Sequence, residues 1–231
     1  MPAAASLRIG GLSPHSSCDW PGQLVATVFA QGCPWACAYC HNPHLLPARG
    51  SDEIAWEEVL TFLRTRQGLL DGVVFSGGEP TLQDALLGAI ADVRELGFQV
   101  GLHTGGQFPE RLARVLPLVD WLGFDVKAPW DDYDRITAVA GSGASARASL
   151  ALVVASGVSF EARTTVHPAL LSPNDLSMLA EELQVAGVHR YAVQGFRPRG
   201  CVGDLPLVSL SSGDFPLGLG DRFEHFEVRD S

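Results

Sequence analysis

The strongest constraint on the fold is a repeated alternation of short apolar runs with longer helix-like segments. Six apolar runs rich in β-branched residues predict buried strands, at 24–30, 72–76, 98–102, 121–126, 160–166 and 190–194. Helical apolar spacing predicts helices that separate them, at 54–66, 83–96, 109–116, 144–155 and 173–185. We expect Ser51 or Asp52 to cap the first helix and Ser172 to cap the last.

The alternation predicts an α/β fold with parallel strands joined by right-handed crossovers. Six units are too few for a closed eight-stranded barrel, so a partial open barrel or a doubly wound sheet remains. In both, ligand-binding loops follow the carboxyl ends of the strands. We expect a single domain over 1–231, with a core at about 22–196 and a tail at 197–231 that is mostly loop.

The chain has five cysteines, which is an odd number: Cys18, Cys33, Cys37, Cys40 and Cys201. Three of them, at positions 33, 37 and 40, fall within eight residues. An odd count argues against a disulfide framework. The dense group has C-x3-C-x2-C spacing and lies on the loop after the first predicted strand. Three thiolates there could hold zinc, with His41 or His44 as a fourth ligand. They suit a [4Fe–4S] cluster equally well, and one iron would then stay free for a ligand.

A second motif follows the predicted strand 72–76 and consists of Gly77, Gly78, Glu79 and Pro80. The two glycines allow the backbone to approach a ligand closely. The backbone carbonyls and Glu79 can accept hydrogen bonds from an ammonium group. A simple strand-ending turn is the alternative interpretation.

Taken together, the two motifs resemble those of the radical S-adenosylmethionine (SAM) superfamily, with Tyr39 as the aromatic residue before the third cysteine. The resemblance implies a partial (β/α)6 barrel with outer helices. It also implies a [4Fe–4S] cluster held by Cys33, Cys37 and Cys40, with one open iron that binds SAM. Reductive cleavage of SAM would then give a 5′-deoxyadenosyl radical, which abstracts hydrogen from a substrate.

Four further segments resemble the glycyl-radical-enzyme activases, above all those of anaerobic ribonucleoside-triphosphate reductase: 11–21, 40–46, 125–129 and 163–168. Pyruvate formate-lyase activases share this core. The resemblance implies a glycyl radical enzyme as protein substrate and a reducing donor such as flavodoxin or ferredoxin. A small-molecule enzyme like 7-carboxy-7-deazaguanine synthase and a zinc-binding interaction domain remain alternatives.

The same resemblance implies further contacts with SAM. Tyr39 would pack against the adenine, and Asn42 and Thr104 would contact the cofactor. Arg163, on the fifth predicted strand, would meet either the ligand carboxylate or Glu79, and a buried structural arginine is the alternative interpretation.

Asp125 and Lys127 match a pair that lies at the SAM and cation site of pyruvate formate-lyase activase. Strand alternation would point them to opposite faces unless the strand has already ended. His103 stands where that relative has an aspartate, so a carboxylate-based cation site is not expected to be conserved in full.

Charge and hydropathy exclude some partners. The net charge of −10 argues against binding to nucleic acid. No apolar stretch reaches the roughly 18 residues of a membrane span, and the amino-terminal residues lack the pattern of a signal peptide. We therefore expect no membrane association and a cytoplasmic, reducing environment.

Overall fold

The fold is built on an eight-stranded sheet, seen in a computed structural model that describes residues 4–198, 200–201, 205, 215–216 and 218–229. The strands follow one another across the sheet in chain order: β1 (Ile9–Ser16), β2 (Val25–Ala30), β3 (Gly72–Gly77), β4 (Gln99–Thr104), β5 (Trp121–Asp125), β6 (Ser159–Val166), β7 (Arg190–Gly195) and β8 (His225–Arg229). β1 pairs with β2 in the antiparallel sense, and all later neighbours pair in parallel.

The helices connect the parallel strands: α1 (Trp56–Arg64), α2 (Leu86–Glu95), α3 (Pro109–Val115), α4 (Tyr133–Thr137), α5 (Ser142–Ser156) and α6 (Pro173–Val185). The predicted cap of α6 is confirmed, because Ser172 and Asp175 form a reciprocal capping box. The predicted cap of α1 is wrong. That helix begins at Trp56 with Ala55 at the N-cap position, and Ser51 donates its hydroxyl to Asp52 instead.

Strand order decides between the two predicted architectures. A doubly wound sheet reverses its order at a switch point, whereas β2 to β8 run across the sheet without a reversal. The predicted α/β class with parallel strands and connecting helices is therefore confirmed, and the strand order is that of a partial barrel.

The sheet also extends beyond the predicted core at both ends. β1 contains Gly, Ser and Pro and is half-exposed at the edge of the sheet. It therefore lacks the buried apolar run that predicts a strand from the sequence. The prediction that the tail is mostly loop misses β8, whose Phe226 and Val228 pack against the core in strand alternation. Tail residues 199, 202–204, 206–214, 217 and 230–231 lie outside the described residues.

The two faces of the sheet hold different clusters. The main core contains side chains from both the helices and the sheet, including Val59, Ile90, Phe75 and Phe124. On the opposite face Trp20 stacks on Trp121 with ring centroids 5.5 Å apart, and Val25 and Val74 join them. Since side chains alternate along a strand, Trp121 shares its face with Asp125. This inner face is therefore apolar where the strands begin and polar where they end.

Across the described residues no single helix is long and apolar enough to cross a bilayer, and only a pair bent by 119°, Trp130–Thr137 with Ser142–Ser156, meets the criteria jointly.

Candidate active site

A cavity of about 440 Å³ lies at the carboxyl ends of the strands. This is where parallel α/β sheets place their ligands, and the volume falls within the range of small-molecule sites. Most of the predicted site residues line it: Cys33, Cys37, Tyr39, Cys40, Asn42, Gly77, Gly78, Thr104, Asp125, Lys127 and Arg163. Glu79 and Pro80 are buried outside its lining.

The cysteine loop between β2 and α1 is fixed by backbone hydrogen bonds. The Cys33 amide donates to the Leu46 carbonyl at 3.1 Å, and the Ala36 amide donates to the Thr137 carbonyl at 3.0 Å. The Glu79 amide donates to the Gly32 carbonyl at 2.9 Å, which joins the loop to the turn after β3. These contacts fix the loop that presents the three thiols to the cavity.

The glycines of the turn allow this junction. A Cβ at Gly78 would collide with the Gly32 carbonyl, and one at Gly77 would lie 2.5 Å from the Ala30 nitrogen. Gly77 also has a φ of +108°, in the region that favours glycine. Gly78 therefore packs closely against the cysteine loop and Gly77 against β2, and both residues also line the cavity.

The three thiols are half-buried, and burial changes their acidity. Burial raises the pKa of Cys33 to about 12 and also raises the pKa of Cys37, although Lys127 opposes the second shift. Because a metal centre binds the thiolate form, loading the site must release protons. The described residues contain no three His, Cys, Asp or Glu side chains arranged to hold a single ion. His44 is exposed outside the cavity lining, whereas His41 lines the cavity.

Glu79 is fully buried, and both of its carboxylate oxygens accept hydrogen bonds from the protein. Oε1 accepts from the Thr81 amide at 3.0 Å, the Thr81 hydroxyl and the Thr104 hydroxyl at 2.8 Å, while Oε2 accepts from the Gly105 amide at 3.2 Å. Burial raises the pKa of Glu79, and these hydrogen bonds oppose the shift. Glu79 therefore ties the turn after β3 to the loop after β4. The Thr104 hydroxyl donates its only proton to Glu79, so it can only accept a hydrogen bond from a ligand.

Asp125 lies between two cations at the end of β5. The Arg163 Nε and Nη2 atoms donate to Asp125 Oδ1 at 3.2 and 3.0 Å, and Lys127 Nζ lies 3.8 Å from Oδ2. Burial raises the pKa of Asp125, but Arg163 and Lys127 outweigh it and hold the pKa below its usual value. Because β5 ends at Asp125, strand alternation does not apply to Lys127, and the two side chains converge. Arg163 thus forms its ion pair with Asp125. The predicted contact between Arg163 and Glu79 is wrong.

Lys127 is largely buried and its ammonium lies 5.7 Å from the centre of the Tyr39 ring. Burial disfavours the ammonium, but Tyr39, Cys37 and Asp125 outweigh burial and raise the pKa of Lys127. Tyr39 is itself buried and faces the cavity. A fixed positive charge is therefore held between the cysteine loop and β5.

His103 extends this network while staying neutral. Its Nδ1 lies 3.1 Å from the Ser76 hydroxyl, and its Nε2 lies 2.7 Å from the Asp19 carbonyl and 3.2 Å from Arg163 Nη1. Burial and the nearby Arg163 lower the pKa of His103 to about 4. His103 therefore offers a polar but uncharged surface to the cavity at neutral pH.

Several lining residues were not predicted as site residues: Cys18, Asp19, Ser76, His103, Gln107, Thr165, Gln194 and Arg229. Ser76 lies two positions after Val74 in β3, and Thr165 lies two positions after Arg163 in β6. Side chains two positions apart in a strand point to the same face, so this alternation could have identified both residues. Arg229 could not be found in this way, because β8 was not expected. It donates to both carboxylate oxygens of Glu161, at 2.8 and 3.0 Å.

The sequence around the cavity matches a known protein family. The family model described as the radical SAM superfamily matches residues 27–192. The chain belongs to the radical SAM superfamily. The matched part begins within β2, includes the cysteine loop and ends within β7.

Curated relatives narrow the grouping within radical SAM enzymes. A candidate glycyl-radical enzyme activating enzyme of Methanocaldococcus jannaschii is 30% identical over 203 residues, which are 83% of this chain and 80% of that protein. The pyruvate formate-lyase-activating enzyme of Clostridium pasteurianum is 34% identical over 136 residues, but the match spans only 57% of its length. The 7-carboxy-7-deazaguanine synthase of Thermococcus kodakarensis is 31% identical over 126 residues, 46% of this chain and 50% of that protein. This radical SAM chain therefore groups with the glycyl-radical-enzyme activating enzymes.

Solved structures share the fold. SuiB of Streptococcus suis bound to S-adenosylmethionine aligns with a TM-score of 0.60 and 12% identity, over 75% of this chain and 41% of SuiB. QueE from Escherichia coli aligns with a TM-score of 0.52 and 18% identity, over 82% of this chain and 83% of QueE. At these identities the likeness concerns the architecture alone.

Radical SAM enzymes use a [4Fe–4S] cluster and SAM, and the cavity fits both groups. Three soft thiols are the ligand type that iron–sulfur clusters take. Lys127 and Arg163 offer positive charge, which suits the carboxylate of SAM. Among the described residues, the buried His41 Nε2 and Gln107 Oε1 atoms have no hydrogen-bond partner, as expected of polar atoms around a ligand site.

Proposed function

We propose that this radical SAM enzyme is the activase of a glycyl radical enzyme, and that its partner is an anaerobic ribonucleoside-triphosphate reductase. One observation carries the proposal: a single cavity joins the three-cysteine loop to the Asp125–Lys127–Arg163 group. The near full-length match to an activating enzyme of M. jannaschii supports the class of reaction. The segments at 11–21 and 40–46 support the narrower choice of partner.

In this proposal Cys33, Cys37 and Cys40 hold the cluster through their thiolates. When bound, the cluster and SAM together supply the 5′-deoxyadenosyl radical that removes a hydrogen atom from a glycine of the partner. The enclosing side chains exclude water, which protects reactive species from side reactions.

The residues around SAM would have separate roles. Lys127 and Arg163 bind and orient its carboxylate, with Asp125 holding both cations in place. Tyr39 packs against the adenine, and Asn42 and Thr104 offer hydrogen-bonding atoms. The backbone at Gly77 and Gly78 approaches the amino group, while Glu79 and Pro80 act through the turn that they build.

The cellular setting follows from the same chemistry. A strongly reducing electron donor such as a flavodoxin or a ferredoxin would reduce the cluster, and the cytoplasm would provide the reducing conditions that free thiols need. The partner is a protein, in keeping with the acidic net charge of −10, which disfavours nucleic acid.

Two other substrates have specific support. The match to the C. pasteurianum enzyme favours a pyruvate formate-lyase-like partner. The match to the 7-carboxy-7-deazaguanine synthase of T. kodakarensis favours a small molecule. Both alternatives use the same cavity and differ only in what enters it.

The deciding experiment is electron paramagnetic resonance on anaerobically reconstituted enzyme. The enzyme is mixed with SAM and a reductant, separately with an anaerobic ribonucleotide reductase and with a pyruvate formate-lyase from one genome. We expect a glycyl radical on the reductase and 5′-deoxyadenosine in the mixture. A radical only on the lyase changes the partner. Formation of 5′-deoxyadenosine with no radical on any glycyl radical enzyme would sink the activase assignment.

A further inference from the structure

Gln107 contacts the cysteine loop from the far side of the cavity. It lies between β4 and α3, and its Nε2 is 3.8 Å from Cys33 Sγ, within reach of a sulfur acceptor. Its Oε1 is buried and has no partner among the described residues. Gln107 itself lines the cavity, so one end of the amide faces a cysteine and the other end is unused.

The surrounding residues hold the amide in this position. A Cβ on Gly105 would lie 3.2 Å from Gln107 Oε1 and 2.9 Å from the Trp35 ring, so the amide packs over a residue that has no side chain. Phe108 and Pro109 follow at once as the start of α3, which limits the movement of the backbone.

The orientation of the amide follows from its chemistry. A ligand thiolate carries negative charge and accepts hydrogen bonds, so the NH2 group belongs on the Cys33 side. The opposite orientation would place an oxygen lone pair against the sulfur. With the NH2 group toward Cys33, the oxygen is the buried acceptor that lacks a donor, and a buried acceptor without a donor is rare in native proteins.

Hydrogen bonds to the sulfur ligands of an iron–sulfur cluster change its reduction potential. An N–H donor stabilises the reduced cluster more than the oxidised one, because the reduced cluster carries one more negative charge. SAM carries amine and hydroxyl groups, and therefore the N–H and O–H donors that Gln107 Oε1 lacks.

We propose that Gln107 is a positioning residue that joins the two cofactors: Nε2 donates to the Cys33 sulfur and raises the cluster potential, and Oε1 accepts a hydrogen bond from bound SAM. This inference rests on the proposed role of Cys33 as a cluster ligand. The single amide then makes reduction of the cluster easier and contributes to SAM affinity.

The test is a redox titration of the reconstituted holoenzyme, followed by electron paramagnetic resonance, on wild type and on Gln107→Leu. Leucine is similar in size and has neither donor nor acceptor. At the wild-type midpoint we expect the ratio of reduced to oxidised cluster to fall by about threefold to tenfold, where tenfold is about 59 mV for a one-electron couple. The dissociation constant for SAM should rise by about threefold to tenfold.

Gln194→Leu is the matched control, because Gln194 lines the same cavity and donates to Thr165 at 3.1 Å. It should titrate at the wild-type potential. Gln107→Glu replaces the donor by a negative charge, and its cluster should be harder to reduce than that of Gln107→Leu.

The outcomes separate the two proposals. If wild type binds no cluster, the proposed function fails. If the clusters are intact and Gln107→Leu keeps the wild-type potential, or if Gln194→Leu shifts it equally, the role of Gln107 is overturned. If Gln107→Leu binds no cluster, the redox titration is carried out on Gln107→Glu instead. A cluster potential equal to that of wild type in Gln107→Glu would overturn the proposal.

Discussion

Two carboxylates near the cavity, Glu79 and Asp125, have opposite surroundings. Glu79 is fully buried and accepts four hydrogen bonds from uncharged groups of its own chain. Asp125 is partly exposed to the cavity and is paired with two cations that also line it. The difference predicts that Glu79 mainly holds the loops of the site together, whereas the cations paired with Asp125 act on the ligand.

Cys37→Ala should abolish both cluster binding and SAM cleavage, because a ligand thiolate has no substitute in the alanine variant. Iron and sulfide analysis and the yield of 5′-deoxyadenosine measure the loss. Cys201→Ser is the control, since Cys201 lies outside the cavity lining and should keep the cluster. Full cluster content in Cys37→Ala would contradict the assignment of the loop.

Lys127→Met should weaken SAM binding by about tenfold or more, because it removes a buried cation that faces the ligand. The free energy of unfolding should change little, since Asp125 keeps its two hydrogen bonds to Arg163. Calorimetric titration with SAM and urea denaturation measure the two quantities. A large loss of stability with unchanged SAM affinity would make Lys127 structural, like Glu79.

Glu79→Gln should show the reverse pattern. The new amide should place its NH2 group at the Oε2 position, where it meets one donor, the Gly105 amide, whereas three donors face the Oε1 position. One buried hydrogen bond is then replaced by a donor–donor contact. We expect a loss of roughly 1–3 kcal/mol in the free energy of unfolding. SAM affinity should fall less than in Lys127→Met. Equal effects on SAM affinity would remove the distinction between the two carboxylates.

The neutral His103 gives a pH dependence. Its pKa is about 4 in the folded protein, below its ordinary 6.5, so between these values the unfolded chain binds a proton that the native protein does not. Stability should therefore decrease as pH falls from about 6.5 to about 4, by roughly 1–3 kcal/mol at most. Asp19, Asp125 and Arg163 are the charged residues that surround the ring.

His103→Gln should make the stability less dependent on pH across this window. Urea denaturation of both proteins at several pH values measures the slope. An identical slope in the two proteins would show that His103 does not contribute to it.

The sequence predicts the parts of the fold that are local. Apolar runs locate β2 to β7, and Ser172 with Pro173 locates the start of α6, because these signals depend on neighbouring residues. β1 and β8 lack a buried run, since each is partly exposed, and they were missed. Register and pairing with distant residues decide whether such segments join a sheet.

The site could be predicted as a set of residues but not as a set of contacts. The cysteine spacing and the strand ends identify most of the cavity lining. The role of Glu79 depends on Thr104, 25 residues away, and the partner of Arg163 lies 38 residues away in Asp125. Which donor fills which acceptor depends on how strands pack, and the order of residues does not reveal it.

The stacked Trp20 and Trp121 rings have a consequence for the order of events. With Val25 and Val74 they fill the inner face of the sheet where the strands begin, so the cavity is approached from the ends of the strands. In the proposed function, SAM and the protein partner would both approach from that side. A bound protein partner would trap SAM beneath it, and the spent products would leave only after that partner had moved away. The proposed function then predicts that SAM binds before the partner and that its products leave after the partner.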